Sequence, residues 1–122
     1  MMPPDPWLAA AEALAREALA HPGVAALDPG PSFETRGRGH PVRGVALRRE
    51  AGQAVATVGV ILTVGAARSS GIPACADALR TRLRRRWAAL ETGLPLDVCI
   101  YVSDLVLDES PARSHDDDRS PA

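Results

Sequence analysis

The 122-residue chain is 46% apolar and 24% charged, and its 14 basic residues, all arginine, nearly balance 15 acidic ones. This length corresponds to one domain of about 100–150 residues, and the apolar fraction is ordinary for a folded protein. The formal net charge of −1 disfavours binding of nucleic acid or a membrane surface over the whole protein. The absence of lysine and asparagine excludes P-loop, Schiff-base and Ser-Lys chemistry as well as N-glycosylation.

Targeting signals and cysteines indicate the compartment. Residues 1–6 carry neither the positive charge nor the apolar run of a signal peptide. The longest apolar stretch, residues 54–67, is shorter than the about 20 residues that a helix needs to span a bilayer. Cys75 and Cys99 lie apart in apolar sequence and are interpreted as buried thiols, with a disulfide or metal role as the alternative. The sequence therefore predicts a cytoplasmic protein that does not insert into the membrane.

The chain is predicted to begin with an amphipathic helix. Asp5 and Pro6 form a typical helix start, since aspartate caps free backbone N–H groups and proline suits the first helical position. Apolar side chains recur at helical spacing over residues 7–20. The His-Pro-Gly sequence at 21–23 ends the helix, because proline cannot continue it.

Extended segments follow the first helix. They are predicted at Val24–Leu27, 32–36, 42–49 and 54–64. The last two flank a tight connection at residues 50–53 and are interpreted as a β-hairpin. Because residues 54–64 are apolar on both faces, this strand is predicted to be central in a sheet.

A second helix and a closing strand complete the predicted domain. Residues 69–71 offer N-capping groups, an apolar stripe runs over residues 72–90, and Gly93 is predicted as the C-cap. Residues 94–107 form the last strand. The order of elements predicts an α+β fold, a two-layer sandwich in which two helices cover one face of a small mixed sheet.

The chain is predicted to hold one domain. Residues 1–6 form an N-terminal extension, residues 7–108 the α+β domain, and residues 109–122 a disordered acidic tail, because that tail has little apolar surface to bury.

Catalytic and metal-binding patterns are missing from the sequence. His21, His40 and His115 lack metal-ligand spacing to a partner. Asp97 and Asp104 flank the last strand without a nucleophile or base near them in sequence. A weak cation site at His115 and the following aspartates is the alternative to a solvated tail. We therefore expect no enzymatic activity, no cofactor and no metal.

Five arginines on the second predicted helix are the candidate partner-binding residues. They occupy the arc that the apolar stripe leaves free, and they are Arg80, Arg82, Arg84, Arg85 and Arg86. Such a cluster binds phosphates or an acidic partner, but it also serves as a solubilising face that suits a helix C-terminus. Both interpretations stay open. Aromatic side chains for base stacking are nearly absent, which disfavours single-stranded nucleic acid.

Several stretches, in the same order, resemble the alkaline shock protein family of bacterial envelope stress response proteins, particularly its actinobacterial members. Residues 18–27 (ALAHPGVAAL) resemble the opening signature of that family. Further similar stretches are 30–35 (GPSFET), 42–47 (VRGVAL), Ile72 and Pro73 with Ala76 and Leu79, 91–98 (ETGLPLDV) and 102–105 (VSDL). The resemblance covers residues 8–107.

The resemblance implies a small, non-enzymatic cytoplasmic protein that self-assembles and is held near the membrane by a separate anchored protein. The first functional hypothesis is therefore an envelope stress response scaffold, homo-oligomeric and recruited to a membrane-anchored partner. The alternative is a nucleic-acid-binding module that uses the arginine-rich helix, although it lacks the GxxG loop of KH-like folds. A small-molecule or enzymatic role is the third and least supported hypothesis.

Overall fold

The computed structural model describes residues 5–107. The helices are α1 (Pro6–Leu19), α2 (Val64–Ser70) and α3 (Ile72–Leu90), with a 3-10 turn at Pro31–Phe33. The strands are β1 (Val24–Leu27), β2 (Glu34–Thr35), β3 (Val42–Arg43), β4 (Val45–Glu50), β5 (Gln53–Thr63) and β6 (Leu96–Val106). The predicted acidic tail and most of the predicted N-terminal extension lie outside the described residues.

α1 begins where Asp5 caps it, as the sequence predicts. The Asp5 carboxylate accepts hydrogen bonds from the backbone N–H groups of Trp7 and Leu8 at 2.9 and 3.3 Å. It also accepts one from the N–H of Arg38 at 3.3 Å, and these donors, Arg38 foremost, lower the pKa of Asp5. Asp5 thus ties the start of α1 to the loop that precedes β3.

β5 is the central strand of a mixed sheet. β4 pairs antiparallel with its first half and β1 with its second half, so that the predicted hairpin is present. On the other side, β6 runs parallel to β5 along nearly its whole length, with a bulge at Ser103. β2 and β3 form a separate two-stranded pair next to β4.

The strand predicted at residues 42–49 is broken at Gly44. This glycine has φ +99°, and a Cβ at its position would lie 2.6 Å from the Cβ of Leu27. Only glycine fits there without strain, because the positive φ disfavours other residues and the Leu27 side chain leaves no room for a Cβ. The break turns the segment into β3 and β4, and only β4 joins the main sheet.

The second predicted helix has the predicted bounds, but its capping residues differ from the prediction. Ser69 and Ser70, predicted as capping residues, belong to the extra helix α2, which Thr63 caps by accepting a backbone N–H at 3.1 Å. At the other end, the C-cap of α3 is Glu91 in the left-handed conformation, not Gly93. The chain turns there because Glu91 adopts φ +53°, and its N–H donates to the carbonyl of Ala88 three residues earlier.

The core lies between the sheet and a layer of two helices. α1 packs over β1 and β4, and α3 packs over β6. Every second side chain of β5 faces these helices and is buried, namely Ala54, Ala56, Val58, Val60 and Leu62. The predicted α+β two-layer sandwich, with two main helices on one face of a small mixed sheet, is confirmed.

Candidate interaction surfaces

The five predicted binding arginines all lie on α3, where they differ in exposure and pairing. Arg84, Arg85 and Arg86 are exposed and belong to none of the ion pairs within residues 5–107. Arg80 and Arg82 are half-buried and bound to acidic side chains. Of the five, three are therefore free to meet an acidic group of another molecule.

One flank of α3 faces α1 and carries charges of both signs. Arg82 Nε donates to the Glu17 carboxylate of α1 at 2.7 Å, and Arg86 lines an open groove of about 450 Å³ with Glu12 of α1. His21, beyond the end of α1, lies near this flank, where burial and then the charge of Arg82 lower the pKa of its imidazole. Opposite charges face each other here, so the flank has no strong field of one sign.

The opposite flank of α3 carries Asp77, Arg80 and Arg84. Residues three or four positions apart share a helix face, and at about 100° per residue this row lies across the helix from Arg82. Arg80 donates to the Asp77 carboxylate, whose side chain is 76% exposed. Because α1 occupies the Arg82 side and α3 packs over β6, this row lies above the outer edge of β6. The five arginines therefore divide between two flanks and do not form one surface.

The outer edge of β6 is a surface that sequence reasoning missed. In the described part of the chain, β6 is hydrogen-bonded to β5 alone, so its other side presents free backbone groups. Six large apolar side chains are exposed in residues 5–107, and four of them lie on β6 or directly after it: Tyr101, Leu105, Val106 and Leu107. Exposed apolar side chains gathered in one place indicate an interaction site.

The face of the sheet opposite the helices is open. Phe33 lies over Gly59 and contacts the ring of Tyr101 at 5.9 Å between centroids. Cys99 is exposed on this face, which corrects its prediction as a buried thiol, whereas Cys75 is buried between α3 and the core as predicted. The error has a simple cause, since β6 alternates its side chains and Cys99 lies on the face that the helices do not cover.

The other polar residues weighed in the sequence do not converge. Asp97, Asp104 and His40 are exposed at separate places, and residues 5–107 contain no group of three or more His, Cys, Asp or Glu side chains arranged to hold a metal. No helix of that span is long and apolar enough to cross a membrane. The chain matches no protein-family model, no curated protein and no solved structure at a significant level.

Proposed function

We propose that this chain is a non-enzymatic interaction protein that self-associates and acts as a cytoplasmic scaffold near the membrane. The observation that carries the proposal is the unpaired edge of β6 with its exposed apolar side chains. Unpaired strand edges are templates for pairing with another chain, and proteins that remain monomeric usually shield them. Self-association removes both the free backbone groups and the apolar surface from water.

The place of this scaffold in the cell is part of the same proposal. The resemblance of residues 18–27 and 91–98 to the alkaline shock protein family supports a role in the envelope stress response. In this role the protein is recruited to the inner face of the membrane by an anchored partner. Arg84, Arg85 and Arg86 are the candidate contacts to an acidic surface of that partner, because their guanidinium groups are exposed and unpaired among the described residues.

Two measurements test the proposal. Sedimentation velocity of the purified chain over a wide concentration range should show reversible self-association. A pull-down of the tagged protein from its native lysate, with and without nuclease, should recover the chain itself and a membrane-anchored protein in both samples. A strictly monomeric protein that recovers no envelope partner would refute the scaffold.

Nucleic-acid binding through α3 is the second candidate function. The three adjacent exposed arginines at positions 84–86 favour it, since phosphate contacts by arginine dominate such binding. It predicts binding that weakens steeply with salt and is lost when Arg84, Arg85 and Arg86 are replaced by glutamate. Partners that disappear from the pull-down after nuclease treatment would favour this candidate over the scaffold.

A further inference from the structure

We propose that a second copy of this chain binds along the outer edge of β6 about a twofold axis. The two β6 strands run antiparallel, and the two α3 helices lie side by side above them. The inference rests on the proposed self-association and specifies which surface produces it. The result is one continuous sheet across both copies, covered on one face by helices of each.

The backbone of β6 favours this partner. β6 is 11 residues long and contains no proline, a residue that protects natural edge strands. Its bulge at Ser103 leaves residues 96–102 and 104–106 in regular register with β5. Backbone groups that point away from β5 along these two stretches can pair with an identical strand, because an antiparallel ladder is compatible with twofold symmetry.

The helix above the edge matches the same symmetry. α3 returns the chain from the end of β5 to the start of β6, so it runs antiparallel to β6. Trp87 near its C-terminal end donates its indole N–H to the carbonyl of Leu94 at 2.7 Å, which holds that end over the start of β6. The midpoints of the two elements, residue 81 of α3 and residue 101 of β6, therefore lie close together. A single twofold axis that passes near both midpoints therefore relates the two β6 strands and also the two α3 helices.

The charges on the exposed flank of α3 are complementary under this symmetry. An axis between residues 80 and 81 places Asp77 of one copy opposite Arg84 of the second copy, and the pair occurs twice. The Asp77 carboxylate accepts from Arg80 of its own helix but is still 76% exposed, so it can accept a second guanidinium, and Arg84 is exposed without an ion pair in the described range. The two Arg80 residues approach each other at the axis in this register, where each guanidinium is bound to the Asp77 carboxylate of its own helix.

Charge reversal tests this interface sharply. D77R places arginine opposite arginine at both symmetric positions, and R84D places aspartate opposite aspartate. We expect each variant alone to associate about tenfold more weakly or worse, as like charges replace two attractive pairs. An equimolar mixture of D77R and R84D should restore association, because every pair across that heterodimer is again one arginine and one aspartate. R49D, with the same charge change at an exposed arginine of β4 on the other side of β5 from β6, is the matched control and should associate like the unmodified chain.

Sedimentation and native mass spectrometry of the single variants and their mixture give the result, with circular dichroism confirming that each variant is folded. Hydrogen exchange supplies a second readout, in which β6 amides that point away from β5 become protected as the concentration of the unmodified chain rises. Association that persists in both variants, or a mixture that forms no heterodimer, would overturn this interface while leaving self-association intact. A chain that stays monomeric at every concentration would instead remove the proposed self-association as well.

Discussion

The Thr35 hydroxyl makes two buried hydrogen bonds, and its removal should lower the free energy of unfolding. Its side chain is buried, at 3% exposure, and its hydroxyl donates to the carbonyl of Val45 at 2.6 Å while accepting the N–H of Leu47 at 2.8 Å. These two backbone groups lie on the side of β4 that faces away from β5, so one hydroxyl takes the place of a neighbouring strand. The isosteric change Thr35→Val keeps the shape of the side chain and leaves both backbone groups unpaired.

The expected loss follows from those two groups. A buried donor or acceptor left without a partner costs about 1–3 kcal/mol, so the two groups together should lower the free energy of unfolding of Thr35→Val by about 2–6 kcal/mol. This is a large share of the about 5–15 kcal/mol that holds a domain together. Urea unfolding followed by tryptophan fluorescence measures it, because Trp7 and Trp87 pack against each other at the core, 6.2 Å apart.

A matched substitution separates this effect from the loss of any threonine hydroxyl. Thr57→Val is the same chemical change on β5, but within residues 5–107 the Thr57 hydroxyl accepts a hydrogen bond from the exposed Arg48 guanidinium alone, at 3.3 Å. We expect that variant to stay within about 0.5 kcal/mol of the unmodified protein. Equal effects of the two substitutions would refute the role given to Thr35.

Three further predictions concern the core, the sheet and pH. Trp87→Phe removes the indole donor from the Leu94 carbonyl and should cost about 1–3 kcal/mol in urea unfolding; an unchanged midpoint would contradict it. A Cβ on Gly59 would lie 2.6 Å from the ring of Phe33, so Gly59→Ala should destabilise by about 1–3 kcal/mol, and much less in a Phe33→Ala background. Additive effects would rule that contact out. Burial lowers the pKa of His21 below its usual 6.5, so the unfolded chain binds the proton more readily, and stability should fall as pH drops from about 6.5 through the folded pKa. NMR titration of the imidazole and urea unfolding across that range measure both quantities, and His21→Gln should flatten the profile.

Elements whose pattern is local were predictable from the sequence. The apolar stripe of α3 predicts its bounds at residues 72 and 90, because burial on one face repeats with the helical period. The β4–β5 hairpin was also predictable from the sequence, because its strands are joined by a short local turn in which Ala51 and Gly52 adopt positive φ. Both features depend on residues close together in the chain.

Features that depend on distant residues were not predictable. Nothing local indicates that Gly44 must clear the side chain of Leu27, so the break between β3 and β4 was missed. The division of the five arginines between two flanks depends on where α1 packs, as the contact of Arg82 with Glu17 shows. The open edge of β6 likewise follows from the order of strands, which the alternation of residues 94–107 does not contain.

The parallel pairing of β5 with β6 also imposes an order on synthesis. β6 begins 33 residues after β5 ends, so at translation rates of about 5–20 residues per second, a growing chain carries β5 for about 2–7 seconds before its neighbour exists. During that interval the most apolar strand of the protein has one uncovered side.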